Sequence, residues 1–453
     1  MTAADVGPSL DENLDWPTRG HYEHSHLYSS RSQIKSFDQL RLCSTDYDYV
    51  VIGAGPIGAA LAYKLAKDAP EVQVLLVEKN WNEPDRIVGE LMQPSGCQAM
   101  EALGLKNVFS GIDSVPVHGY YISYKGKQIY VPYMDRPTGD SRYRGVSFHH
   151  GRLVMNIRAA CKSLPNVHCL EASVNELVFE NSSQCVRGVR LGPARDSGDT
   201  PTDSIAVYPR ILTMVCDGIT SQFRKALNPA PVDLISHFCG FVLEHDPIQS
   251  LQNFSAPPGA LPPTSQSTNP QINPLPMPHN GHVLLDGVGP VLLYQMSERE
   301  TRVLADIPGS QLPSEANGQL RKVLRDSLSR AAPKHLYPGL HTLLLDTLES
   351  SRRIRCIGSK FIPATANSID GAVWIGDALN VRHPLTGGGM TIGLWDIVHL
   401  TELLKQHATN LTPATIRQIK SQWYWQRRPR SLVVNTLSVA LHALFAAETK
   451  ELA

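Results

Sequence analysis

The residues whose types and spacing suggest chemistry sit in glycine-rich turns. Gly53-Ala54-Gly55-Pro56-Ile57-Gly58 follows the apolar run Tyr49-Val50-Val51-Ile52. In such a turn Gly53 permits the tight bend, Gly55 lets the backbone approach a pyrophosphate, and Gly58 lets helix and strand pack closely. The phosphates would lie against free N–H groups at the helix start, on the positive end of its dipole. Glu78, 20 residues beyond Gly58, is placed to accept from ribose hydroxyls, which favours a free 2′-OH and hence FAD or NAD over NADP. The glycine turn does not choose between those two. Two later stretches do. Met214-Val215-Cys216-Asp217-Gly218 puts an Asp-Gly pair after a strand, and Gly376-Asp377-Ala378 follows Val373-Trp374-Ile375. Arg382-His383-Pro384-Leu385-Thr386-Gly387-Gly388-Gly389-Met390 then leads into a helix. Asp377 can accept from ribityl hydroxyls, and the amides of Gly387, Gly388 and Gly389 can face the flavin edge that turns anionic on reduction. The three signals together select FAD.

These residues need a parallel sheet to hold them. Asp46 to Ile52 reads as a strand, Ala59 to Asp68 as a helix and Val72 to Val77 as a second strand, a β-α-β unit. Gly119 to Tyr133 alternates around a hairpin turn at Gly126. Further strands are expected at Ile211–Cys216, His282–Leu285, Val291–Gln295 and Thr301–Ile307, and helices at 151–163, 315–330 and Gly388–Leu404. Residues 247–280, rich in Pro, Ser and Asn, read as a long exposed loop. Residues 1–45, polar and without periodicity, read as a flexible arm. Forty-two basic residues balance forty-two acidic ones, so charge gives no support to nucleic-acid binding. The eight scattered cysteines form no C-x-x-C pair and read as free thiols, mostly small apolar core residues. No apolar run reaches the roughly 20 residues of a membrane span. Leu432–Ala447 comes nearest.

The order G-x-G-x-x-G, D-G, G-D-A and P-x-T-G-G-G resembles the class A flavoprotein monooxygenases of the p-hydroxybenzoate hydroxylase fold. Longer strings resemble one family, the squalene epoxidases: Glu83 through Pro94 (EPDRIVGELMQP), Phe148-His149-His150-Gly151-Arg152, and Gly376 through Thr391 (GDALNVRHPLTGGGMT), with shorter matches at Asn280–Val283 and Ser431–Ala447. The similarity runs from about Asp46 to Ala447. It implies an α/β fold in which a Rossmann-like FAD-binding domain (46–117, 145–225, 350–400) is interleaved with a β-sheet substrate domain (118–144, 226–349), followed by C-terminal helices (401–453). It implies FAD contacts from Glu78, Lys79, Arg86, Arg158, Val174, Asp377 and Met390, and an active-site Tyr120 paired with Gln93. From the residues alone, each arginine could equally be a surface ion pair, and Tyr120–Gln93 a structural hydrogen bond.

The resemblance further implies epoxidation of a terminal alkene of squalene or a similar polyprenoid through a flavin C4a-hydroperoxide. Electrons would come from NADPH by way of NADPH-cytochrome P450 reductase, at the cytosolic face of the endoplasmic reticulum membrane. Two features depart from the family. Its members continue beyond the Leu444-Phe445-Ala446-Ala447 string with hydrophobic helices, whereas this sequence stops at Ala453, so weaker membrane attachment is expected; Arg355-Cys356-Ile357-Gly358-Ser359 also replaces the family's usual stretch. Trp423, Tyr424 and Trp425 beside Arg427 and Arg428 would suit an interfacial helix or a core-packed one. An FAD-dependent hydroxylase or reductase of another lipid, or an inert flavin- or lipid-binding homologue, are the competing readings. His149, His150 and His383 match no metal-ligand spacing, and no metal site is expected.

Overall fold

Short runs of β-branched and aliphatic residues, buried on both faces, form the first layer, as expected of parallel strands covered by helices. In the computed structural model, which describes residues 34–41, 46–137, 142–180, 184–194, 204–246, 274–352 and 354–451, six parallel strands lie in the order Ile34–Ser36, Val167–Glu171, Val74–Glu78, Tyr49–Ile52, Leu212–Val215, Ala372–Trp374. Val51 lies between Leu76 and Met214 in register, and all three are fully buried. Helices Pro56–Asp68 and His150–Lys162 pack on this sheet and on each other, and Gly389–Gln406 packs against Pro56–Asp68. Pro56 opens its helix at a position where the missing N–H costs nothing.

The second layer is a seven-stranded sheet, ordered Arg355–Phe361, Asp233–Glu244, Glu300–Pro308, Val291–Gln295, Gly281–Leu284, Gly119–Tyr124, Lys127–Pro132. Neighbours are antiparallel except Gly281–Leu284 and Gly119–Tyr124. Strand alternation gives this sheet two unlike faces. Cys239, Phe241, Leu293, Val303 and Ala305 meet Leu324, Leu328, Leu340 and Leu344 of helices Gln319–Ala331 and Pro338–Ser350, each buried leucine contributing about 1.5–3 kcal/mol. Phe238, Leu292, Tyr294, Leu304 and Ile357 turn to the opposite face, toward the first layer.

Three expectations need correction. The arm is not wholly unpacked: Ile34–Ser36 adds the outer strand of the first sheet, and Phe37 and Leu40 of the short helix after it are buried. Residues 1–33 and 42–45 lie outside the described residues. Arg355–Phe361, assigned by sequence to the FAD-binding part, pairs instead with Asp233–Glu244 in the second sheet. Of the expected loop 247–280, residues 247–273 lie outside the described residues, while Leu275 and Met277 are buried in the second core.

The chain ends in the long helix Pro413–Glu451, which passes through Pro429. Trp423 is buried and donates to the Asp396 carbonyl (2.9 Å), and Arg427 forms a buried bidentate pair with the Asp396 carboxylate (3.0 and 3.0 Å). Trp423 and Arg427 are thus core groups. Trp425, Leu432, Val433, Leu437, Val439 and Leu444 are exposed.

Candidate active site

The two layers enclose one continuous cavity of about 710 Å³. Its polar end is built by the glycine turn. Gly53 adopts φ +94°, closed to residues with a side chain, and a Cβ there would meet the Cys216 carbonyl oxygen at 2.7 Å. A Cβ at Gly58 would sit 1.9 Å from the Gly53 carbonyl oxygen, so this glycine serves helix–strand packing. Gly55 differs: it lines the cavity and a Cβ there would meet nothing within 4 Å. That open cradle at a helix N-terminus fits a diphosphate.

Arg158, buried in its helix, organises this end. Its Nε donates to the Ala54 carbonyl (2.8 Å), one Nη to the Asn82 carbonyl (3.1 Å), and the other lies 3.7 Å from Glu78 Oε2. Burial lowers its pKa, opposed by the Glu78 charge. Glu78 accepts from the Ala54 amide (2.8 Å) and shares the cavity wall with Lys79 and Arg86. His150, also in the wall, is held neutral, its pKa pushed down by burial to about 4; its Nδ1 meets the Gly89 carbonyl at 3.1 Å.

Midway, the two aspartate motifs converge. Arg224, unremarked in the sequence, donates to the carbonyls of Gly218 (3.0 Å), Ile219 (2.9 Å) and Asp377 (2.8 Å), stapling the Asp217 turn to the Asp377 turn. Both carboxylates line the cavity, and burial raises both pKa values against the pull of nearby arginines. Pro384, Leu385, Gly387, Gly389 and Met390 complete this wall. Gly387 takes φ +59°, and helix Gly389–Gln406 starts directly after the turn. Gly388 is not in the wall. A Cβ there would strike Val434 Cγ1 at 2.5 Å, so it lets the C-terminal helix close in. Val174 is likewise absent from the wall; it is a buried core residue whose carbonyl accepts from Gln222.

His383 holds the glycine turn from behind. Its Nδ1 accepts from the Leu385 amide (3.3 Å), so the proton sits on Nε2, which meets Ser236 Oγ at 2.9 Å. Its ring stacks on His442 at 4.8 Å. Asp306 lies 3.7 Å away. Burial pushes the imidazole pKa down to about 3 and the Asp306 carboxyl up to about 7. Asp306, His383 and His442 cluster closely enough to suggest metal binding, but a protonated Nε2 has no lone pair to give.

The far end is apolar. Leu91, Phe238, Leu292, Leu304, Ile357 and Leu385 line it. Tyr120 stands at the junction, in register with Gly281, where a Cβ would press on its ring at 2.9 Å. Its hydroxyl accepts from Gln93 Nε2, and Gln93 Oε1 accepts from Tyr133 OH (2.8 Å). Burial raises both tyrosine pKa values, so the phenols stay protonated. The segment before Leu91–Met92 is tied to the second sheet by Glu90 and Arg302, a buried bidentate pair (2.8 and 2.8 Å) joined by the Tyr294 hydroxyl (3.1 Å). Sequence reading missed this pair, Arg224 and Tyr133. Only the position of Glu90 inside the EPDRIVGELMQP string could have signalled any of them.

This architecture is that of the flavin-dependent monooxygenases. A probable FAD-dependent monooxygenase from Pseudomonas aeruginosa, pqsL, superimposes with a TM-score of 0.67 over 90% of this chain and 100% of its own, at 18% identity. p-Nitrophenol 4-monooxygenase PnpA from Pseudomonas putida gives 0.65 over 89% and 90%, at 16% identity. The squalene epoxidase family model matches residues 210–254 and 268–453. The chain is 38% identical over 418 residues to squalene epoxidase erg1 of Aspergillus fumigatus, covering 91% of this chain and 78% of that protein. It is 35% identical over 411 residues to squalene epoxidase erg1 of Schizosaccharomyces pombe (90% and 80%), and 36% over 408 residues to squalene monooxygenase of Mus musculus (89% and 63%). The chain belongs to the squalene epoxidase family, and FAD is the cofactor its site fits.

Proposed function

We propose that the chain is an FAD-dependent monooxygenase that converts a terminal double bond of squalene to an epoxide, in sterol biosynthesis. One observation carries this reading: a single cavity runs from an open phosphate cradle at Gly55 to an apolar wall at Phe238, Leu292 and Leu304. Bound flavin supplies the activation of O₂ and transfer of one oxygen atom. The protein supplies the rest. Gly55, Glu78, Arg158 and Asp377 would hold the cofactor, and the amides of Gly387 and Gly389 would favour its anionic edge. The leucines, Phe238 and Ile357 orient a hydrocarbon and exclude water. The Tyr120 hydroxyl, kept protonated by burial and positioned by Gln93, is placed to donate a hydrogen bond where polar and apolar ends meet.

Reducing equivalents would come from NADPH through NADPH-cytochrome P450 reductase, as the family resemblance implies. No helix among the described residues is long and apolar enough to cross a membrane. The exposed Leu432, Val433, Leu437, Val439 and Leu444, with Arg428 over the Trp425 ring at 5.1 Å, support contact with a membrane surface, the cytosolic face of the endoplasmic reticulum being the expected location. The test is incubation of purified protein with squalene, NADPH, the reductase and isotopically labelled O₂. Oxidosqualene carrying one labelled oxygen is expected. Flavin-loaded protein that leaves squalene untouched but oxygenates another lipid would replace the substrate assignment.

A further inference from the structure

Cys239 and Cys356 sit directly opposite each other in the antiparallel ladder between Asp233–Glu244 and Arg355–Phe361, with their sulfur atoms 2.9 Å apart. Residues so paired have Cα atoms about 4.5–5.5 Å apart, inside the roughly 4.4–6.8 Å that a disulfide spans. Both thiols face the helix-covered side of the sheet. Their ladder neighbours Phe238 and Ile357, also mutually paired, face the cavity. Cys239 is fully buried, whereas Cys356 is half-buried and within reach of a small oxidant.

We propose that Cys239 and Cys356 are a reversible dithiol–disulfide couple, oxidised by hydrogen peroxide. The Cys356 thiolate attacks one peroxide oxygen and breaks the O–O bond. Cys356 becomes a sulfenic acid, and the departing hydroxide takes up a proton as water. The Cys239 thiol then attacks that sulfur, forms the S–S bond and releases a second hydroxide, which takes the Cys239 proton. Two thiols and one peroxide yield one disulfide and two waters. Hydrogen bonding with Cys239 holds Cys356 below the usual thiol range and so favours it as the first nucleophile. The bond pins the edge strand whose Ile357, Gly358 and Ser359 form one wall of the cavity. It also closes a long chain loop, which stabilises the fold against unfolding.

The test uses the full FAD-loaded chain, treated with hydrogen peroxide, alkylated with iodoacetamide and digested without reductant. A peptide pair joined through Cys239 and Cys356 should appear in the mass spectrum and vanish with dithiothreitol. The oxidised protein should melt about 3 °C or more above the reduced form, and Cys356→Ser should abolish that rise. Two alkylated thiols after peroxide, a Cys356 carried on to sulfinic acid beside an alkylated Cys239, or an unmoved melting temperature would overturn the proposal.

Discussion

Replacing Arg302 with methionine strips Glu90 of both its charge-assisted hydrogen bonds, at 2.8 and 2.8 Å, and leaves a carboxylate only 2% exposed with the Tyr294 hydroxyl as its remaining side-chain donor. Breaking a buried pair from one side costs about 3–5 kcal/mol, on the order of a hundredfold to a few thousandfold in the folding equilibrium. Glu90→Met strands the buried Arg302 guanidinium at a similar cost. The double change Glu90→Met/Arg302→Met removes both charges and refills the space with flexible apolar side chains. Its main residual loss is the acceptor of the Tyr294 hydroxyl, about 1 kcal/mol. The double variant should therefore be more stable than either single one, with a coupling energy of at least about 2 kcal/mol. Urea denaturation of the FAD-loaded protein, followed by far-ultraviolet circular dichroism, measures all three. Single variants costing under about 1 kcal/mol, or a double variant equal to their sum, would refute the idea that this pair clamps the Glu90 segment onto the second sheet.

Three further outcomes follow from the geometry. Gly55→Val projects into the open cradle, so the apoprotein should fold with unchanged melting while FAD affinity drops at least about tenfold; Gly58→Ala, with its Cβ against the Gly53 carbonyl, should instead destabilise the apoprotein itself. Asp306, its carboxyl pushed up to about 7, binds more protons folded than unfolded, so its contribution is full below the ordinary carboxylate range and lost as pH rises through 7. Asp306→Asn should flatten that fall, worth at most about 4 kcal/mol, when unfolding is compared at acidic and mildly alkaline pH. Tyr120→Phe should leave flavin binding intact and lower kcat/KM for squalene by about tenfold or more, read by epoxide formation; unchanged turnover would make the Tyr120–Gln93 bond structural.

The sequence revealed the site better than the walls around it. The glycine turn, Glu78, the two aspartate turns and the Pro384–Met390 stretch carry local signatures, because a tight turn or close backbone approach dictates glycine at fixed spacing. The hairpin at Gly126 was legible for the same reason, with Lys125 and Gly126 both at positive φ. Sheet membership was not. Arg355–Phe361 has no periodic burial, and its partner Asp233–Glu244 lies more than a hundred residues away in the chain. Ile34–Ser36 is three residues long and is a strand only because Val167–Glu171 offers it an edge. Arg224, Arg302 and His383 act through partners that proximity in sequence does not disclose. Gly388, inside the glycine turn, and Val174, named only through the family resemblance, pack against protein rather than facing the cavity.

The central claim is that Gly55, Asp377, Gly387 and Gly389 close around a single flavin. Flavin content of the purified chain, by absorbance and by chromatography of the released cofactor after reconstitution, tests it most directly. One FAD per chain, lost in Gly55→Val, is the predicted result. A protein that stays colourless in excess FAD would contradict it.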